Sequence, residues 1–149
     1  MKFKLLYVLL LLIIVDTGCK KIAYTGPAAP VAPSGTFTGT FRYLHRHTDL
    51  VPFDTLQANI TLKMLTNTNP FSYTVTGDTA TVHAGSFGSF SLTSPYMVFT
   101  DKTFPTSGTP TKQHLNGAYL YYYDGNVFQM LAYSADTLGV QYDLKKTGN

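Results

Sequence analysis

The chain has 149 residues and a formal net charge of +3, enough for one domain core and marginal for two. It contains no Trp, no Glu and a single Cys, which excludes an internal disulfide framework. From Ala23 onward seven basic residues (Arg42, Arg46, Lys63, Lys102, Lys112, Lys145, Lys146) face seven Asp, so this part is near neutral and no nucleic-acid partner is expected despite a pI of 8.9. An excess of Thr, Tyr, Phe and Gly with scarce Lys favours strands over helices.

The chain opens with a short basic region at residues 1–4 and an unbroken apolar run, Leu5 to Val15. A membrane-spanning helix needs about 20 apolar residues, so this run is too short to span and suits the apolar part of a secretory signal. Asp16-Thr17-Gly18-Cys19 follows, placing the only cysteine at the end of the run. This segment resembles a bacterial lipoprotein signal. The resemblance implies cleavage after Gly18 and acylation of Cys19. It places the protein in the cell envelope, and we expect the outer membrane of a Gram-negative bacterium. Lys20 and Lys21 would then lie beside the headgroups. The expected organisation is a signal at 1–18, a lipid anchor and Pro-rich tether at 19–34, and one all-β domain at 35–149. The tether, with Pro27, Pro30 and Pro33 and no charge after Lys21, reads as an extended spacer of about 3.1 Å per residue.

Period-two alternation predicts the strands. Residues 35–45 place Phe37, Gly39, Phe41, Tyr43 and His45 on one face, and residues 56–64 do the same for Leu56, Ala58, Ile60, Leu62 and Met64. Gly77-Asp78 suits a two-residue hairpin turn. Closure there pairs Val75 with Ala80, Tyr73 with Val82 and Phe71 with Ala84, and leaves His83 on the polar, solvent-facing side. Residues 86–92 and 96–101 read as short strands broken at Pro95, and residues 104–111 as a loop. Asp124-Gly125 is the strongest hairpin signal; closing there pairs Tyr121 with Phe128 and Tyr119 with Met130 and leaves both faces rather apolar. Leu138, Val140, Tyr142 and Leu144 alternate in a last strand. No helix of convincing length emerges, only a short turn near Asp49–Pro52.

The expectation is an all-β domain of about eight antiparallel strands, forming a closed or nearly closed up-and-down barrel, with a β-sandwich as the alternative. Sequential hairpins favour closure because it removes exposed edges, and Gly39 and Gly117 read as mid-strand bends. Gly35-Thr36-Phe37 resembles the opening of the first strand in lipocalin-like domains, with Phe37 where that family carries Trp. The resemblance implies a barrel.

Chemistry-bearing patterns are sparse. His45 and His47 share a strand face and are candidate metal ligands. A site needs a third ligand (His83, His114, Asp49 or Asp54 by type), and the sequence places none there, so no metal or other cofactor is expected. Asp49 and Asp54 are the only carboxylate pair not explained by turns or a polar strand face, and we read them as solvated loop residues. Gly85-Ser86-Phe87-Gly88 lacks the Lys-Ser/Thr ending of a phosphate-binding loop, and no catalytic motif is found, so an enzyme is not expected. The inward aromatic rows give Phe37, Phe41, Tyr43, Tyr119, Tyr121 and Phe128 as candidate ligand-binding residues for a small apolar or amphipathic molecule. The alternative is a structural, protein-interacting or inhibitory envelope lipoprotein with a filled core, using an exposed loop at 46–55 or 104–111.

Overall fold

A computed structural model describes residues 31–45, 54–135 and 138–149. Eight strands follow in chain order: β1 (Gly35–His45), β2 (Asp54–Leu65), β3 (Phe71–Gly77), β4 (Ser86–Thr93), β5 (Tyr96–Asp101), β6 (Gly117–Tyr123), β7 (Val127–Ala135) and β8 (Leu138–Gly148). Each pairs antiparallel with its sequence neighbours, and β1 also pairs with β8, closing the barrel. No helix occurs among the described residues. The closed barrel is the architecture expected from sequence and excludes the sandwich.

Closure depends on a close approach at Gly39. A Cβ there would lie 2.1 Å from the Asp143 carbonyl oxygen and 2.9 Å from Leu144 Cα, so only glycine lets β1 and β8 come this near. Gly117, expected to bend a strand at its middle, instead opens β6.

The strand faces sort as alternation dictates. Phe37, Phe41, Leu62, Met64, Phe128 and Tyr142 are fully buried, with Ile60, Tyr119, Met130 and Leu144 close behind. Leu56 shares this parity but is 55% exposed, because it lies near the start of β2, where β1 flanks it but β3, which pairs only from Ile60 onward, does not. The interior is a continuous stack of rings. Phe90 packs on Phe99, Phe99 on Tyr119, Tyr119 on Tyr142, Tyr142 on Phe41 and Phe41 on His83, with centroids 4.7–5.9 Å apart. Tilted and edge-on contacts of this kind fill an eight-stranded barrel with side chains.

The Gly77-Asp78 hairpin does not form. β3 pairs instead with β4, with Phe71 opposite Phe90, Tyr73 opposite Gly88 and Val75 opposite Ser86. Gly77 takes a positive φ of 108°, and Asp78 N–H donates to the Asn59 carbonyl, turning the chain out of the sheet toward β2. Residues 78–85 then cross one end of the barrel. There Gln113 N–H donates to Val82 O and Ala84 N–H donates to Gln113 O, giving a short parallel bridge between His83 and Gln113. The alternation of Val82 and Ala84 with Thr81 and His83 marks an extended stretch, but alternation does not name the partner. With the partner changed, the faces change too. Ala80 is exposed, and His83, expected to face solvent, is fully buried.

The Asp124-Gly125 hairpin forms two residues out of the expected register: Tyr121 lies opposite Met130 and Tyr123 opposite Phe128. Asp124 Oδ1 accepts from both Asn126 N–H and Val127 N–H, which widens the connection to three residues, 124–126. A shift of two keeps every side chain on its expected face.

A candidate ligand site at one end of the barrel

The end of the barrel where β1 finishes and β2 begins is covered by two segments, residues 78–85 and 102–116. They leave a depression of about 420 Å³ lined by Tyr43, Leu56, Thr81, Val82, Phe104, Pro110, Thr111, Lys112, Gln113 and His114. Its size is that of a small-molecule site. Its lining mixes apolar side chains (Leu56, Val82, Phe104, Pro110) with polar ones, from Tyr43, Thr81 and residues 111–114.

His114 is the most constrained of these groups. It is only 9% exposed, and its Nδ1 lies 2.7 Å from Asp101 Oδ2. Asp101 ends β5, is itself buried, and is oriented in turn. Its Oδ1 accepts from Thr103 N–H (2.7 Å) and Thr103 Oγ1 (2.6 Å), and its own N–H donates to Asn116 Oδ1. A carboxylate is acceptor-only, so the hydrogen between the two side chains sits on His114 Nδ1. The Phe104 ring meets the imidazole edge-on at 5.4 Å. Lys112 Nζ donates to the Thr79 carbonyl (3.1 Å), tying the two covering segments together.

Beneath this floor lies a second histidine. His83 Nδ1 is 2.6 Å from the Ala84 carbonyl and its Nε2 is 2.8 Å from the Tyr142 hydroxyl. A carbonyl only accepts, so Nδ1 carries the hydrogen and Nε2 accepts from Tyr142. Burial pushes the His83 pKa down to about 4 and raises that of Tyr119 to about 12; Tyr142 is raised as well, also by burial.

The residues proposed from sequence divide. Phe37, Phe41, Tyr119 and Phe128 are core, 0–2% exposed. Tyr121 packs against that core from β6 with its hydroxyl buried and without a hydrogen-bond partner among the described residues, and only Tyr43 lines the depression. His45 and Asp54 are register partners at the adjoining strand ends, while His47, Asp49 and most of the 46–55 loop lie outside the described residues. No group of three or more His, Cys, Asp or Glu that could hold a metal occurs among the described residues. His114, Asp101 and Phe104 were not singled out as a unit by sequence, because nothing in a strand-end Asp and a loop His thirteen positions apart announces that they meet.

On the outside of the barrel, Tyr96, Leu120, Tyr122 and Tyr133 are 46–64% exposed on β5, β6 and β7. This is the second apolar face of the Asp124-Gly125 hairpin, and it faces solvent. No protein family, no curated protein and no solved structure matches the chain.

Proposed function

We propose that this protein is a lipid-anchored, non-catalytic binding module of the cell envelope, attached through Cys19, that takes a small amphipathic ligand at the end of its barrel. The observation that carries the reading is the contrast between a barrel axis closed by stacked rings and an open depression at its end, part apolar and part polar, holding one oriented imidazole. Ligand sites combine apolar walls with a few fixed polar groups in this way. The anchor rests on the sequence, where the apolar run ends at Gly18-Cys19. Stable attachment needs more than one acyl chain, since a single chain binds marginally.

A second reading, a protein-interaction role, draws on the exposed Tyr96, Leu120, Tyr122 and Tyr133, because Tyr is enriched where proteins recognise one another. Hydrogen–deuterium exchange of the full chain, with and without an extract of its own membrane, separates the two. Slowed exchange at residues 81–84 and 110–114 supports the end site. Slowed exchange confined to residues 118–122 and 129–133 contradicts it and favours a protein partner.

A further inference from the structure

Resting on the end-site reading, we propose that His114, positioned by Asp101, recognises a hydrogen-bond donor on the ligand, so that the ligand class is an amphipath with a hydroxyl or phenol head. The Nδ1 hydrogen is committed to Asp101 (2.7 Å), and that carboxylate is held by Thr103 through two further bonds. In its neutral form an imidazole so fixed has a bare lone pair at Nε2, an acceptor. No described residue hydrogen-bonds Nε2, and His114 is part of the lining of the depression. An acceptor that a ligand covers calls for a donor, because leaving either polar partner unpaired on burial is costly.

The surrounding charges argue against an anionic head. Lys112, the cation among the described lining residues, is engaged with the Thr79 carbonyl, and the Asp101 carboxylate lies directly behind the imidazole. A second carboxylate would meet a lone pair in front and a negative charge behind. The apolar remainder of the ligand would lie against Phe104, Val82, Leu56 and Pro110.

The test uses the full chain in phosphatidylcholine nanodiscs and three probes of one body: 4-ethylphenol, its methyl ether 4-ethylanisole, and 4-ethylbenzoate. Affinities are read by NMR from the His114 ring and the Val82 methyls. The expected result is that the phenol binds about tenfold more tightly than the ether, the difference a buried hydrogen bond makes, and more tightly than the benzoate. In His114→Phe, which keeps a ring against Phe104, the phenol and ether should bind alike. Equal binding of phenol and ether to the native chain, or tightest binding of the benzoate, overturns donor recognition while leaving the end site standing. If none of the three perturbs these signals, both readings fail. The probe ratio on the native chain decides even where His114→Phe does not fold.

Discussion

His83 sits where water does not reach, donating from Nδ1 to Ala84 O and accepting from the Tyr142 hydroxyl at Nε2. That arrangement works only for neutral imidazole, since a protonated ring has no acceptor for Tyr142. Its pKa in the folded chain is about 4 against 6.5 for the free side chain, chiefly through desolvation. The folded state therefore holds this proton less readily than the unfolded one. Stability is full above pH 6.5, falls as pH drops from 6.5 to 4, and by then has lost about 3 kcal/mol. Urea unfolding at pH 7.5 and 4.5 should show this loss, and His83→Phe should flatten the dependence although it leaves the Tyr142 hydroxyl unpaired. At the alkaline end the sign reverses. Tyr119, raised to about 12, keeps its proton longer in the folded chain, so stability should decline as pH rises from 10 toward 12. None of this is legible in sequence, where His83 lies in a stretch that reads equally well as a hairpin arm with polar residues outward. The Asp101–His114 contact is hidden for the same reason: it joins a strand end to a loop, and no period or motif spans the two.

At the scale of the element, alternation in β1, β2 and β8 was readable because each strand has one face on a ring-filled interior and one outside. The Asp124-Gly125 turn was readable in position and face, but its register was not. Whether the loop holds two residues or three is decided by the Asp124 carboxylate capturing two backbone N–H groups. Gly77 misled because the Thr-rich segment after it alternates as a strand would, while it hydrogen-bonds with Lys112 and Gln113 across the barrel end. One point that tolerates no side chain is where β1 meets β8. A Cβ at Gly39 would strike the Asp143 carbonyl oxygen at 2.1 Å. Gly39→Val should destabilise the barrel by at least about 3 kcal/mol, lowering Tm by more than about 10 °C. Gly85→Ala, whose Cβ would find its nearest neighbour at an ordinary 3.6 Å, should change Tm little. Thermal unfolding followed by circular dichroism compares the two, and equal melting of both variants would contradict this account of closure.

At the scale of the whole molecule, the all-β class, the strand count and the closed barrel followed from composition and sequential hairpins. What did not follow was the use of the space inside. Inward aromatics read as a ligand lining, but Phe37, Phe41, Tyr119 and Phe128 pack on one another or on neighbouring rings and fill it. The open volume lies at the end, under two loops whose positions depend on long-range contacts. The proposed anchor has its own test. Cys19→Ser should move the protein from the membrane fraction to the soluble fraction, whereas unchanged sedimentation with membranes would count against acylation at that residue. Native mass spectrometry of the full chain released gently from its own membrane asks whether a small ligand is held at the end of the filled barrel. The expected spectrum shows a bound small molecule that is lost in Val82→Asp and retained in Leu120→Asp on the outer face. A chain carrying nothing beyond its anchor lipid, or an adduct unaffected by Val82→Asp, would contradict it.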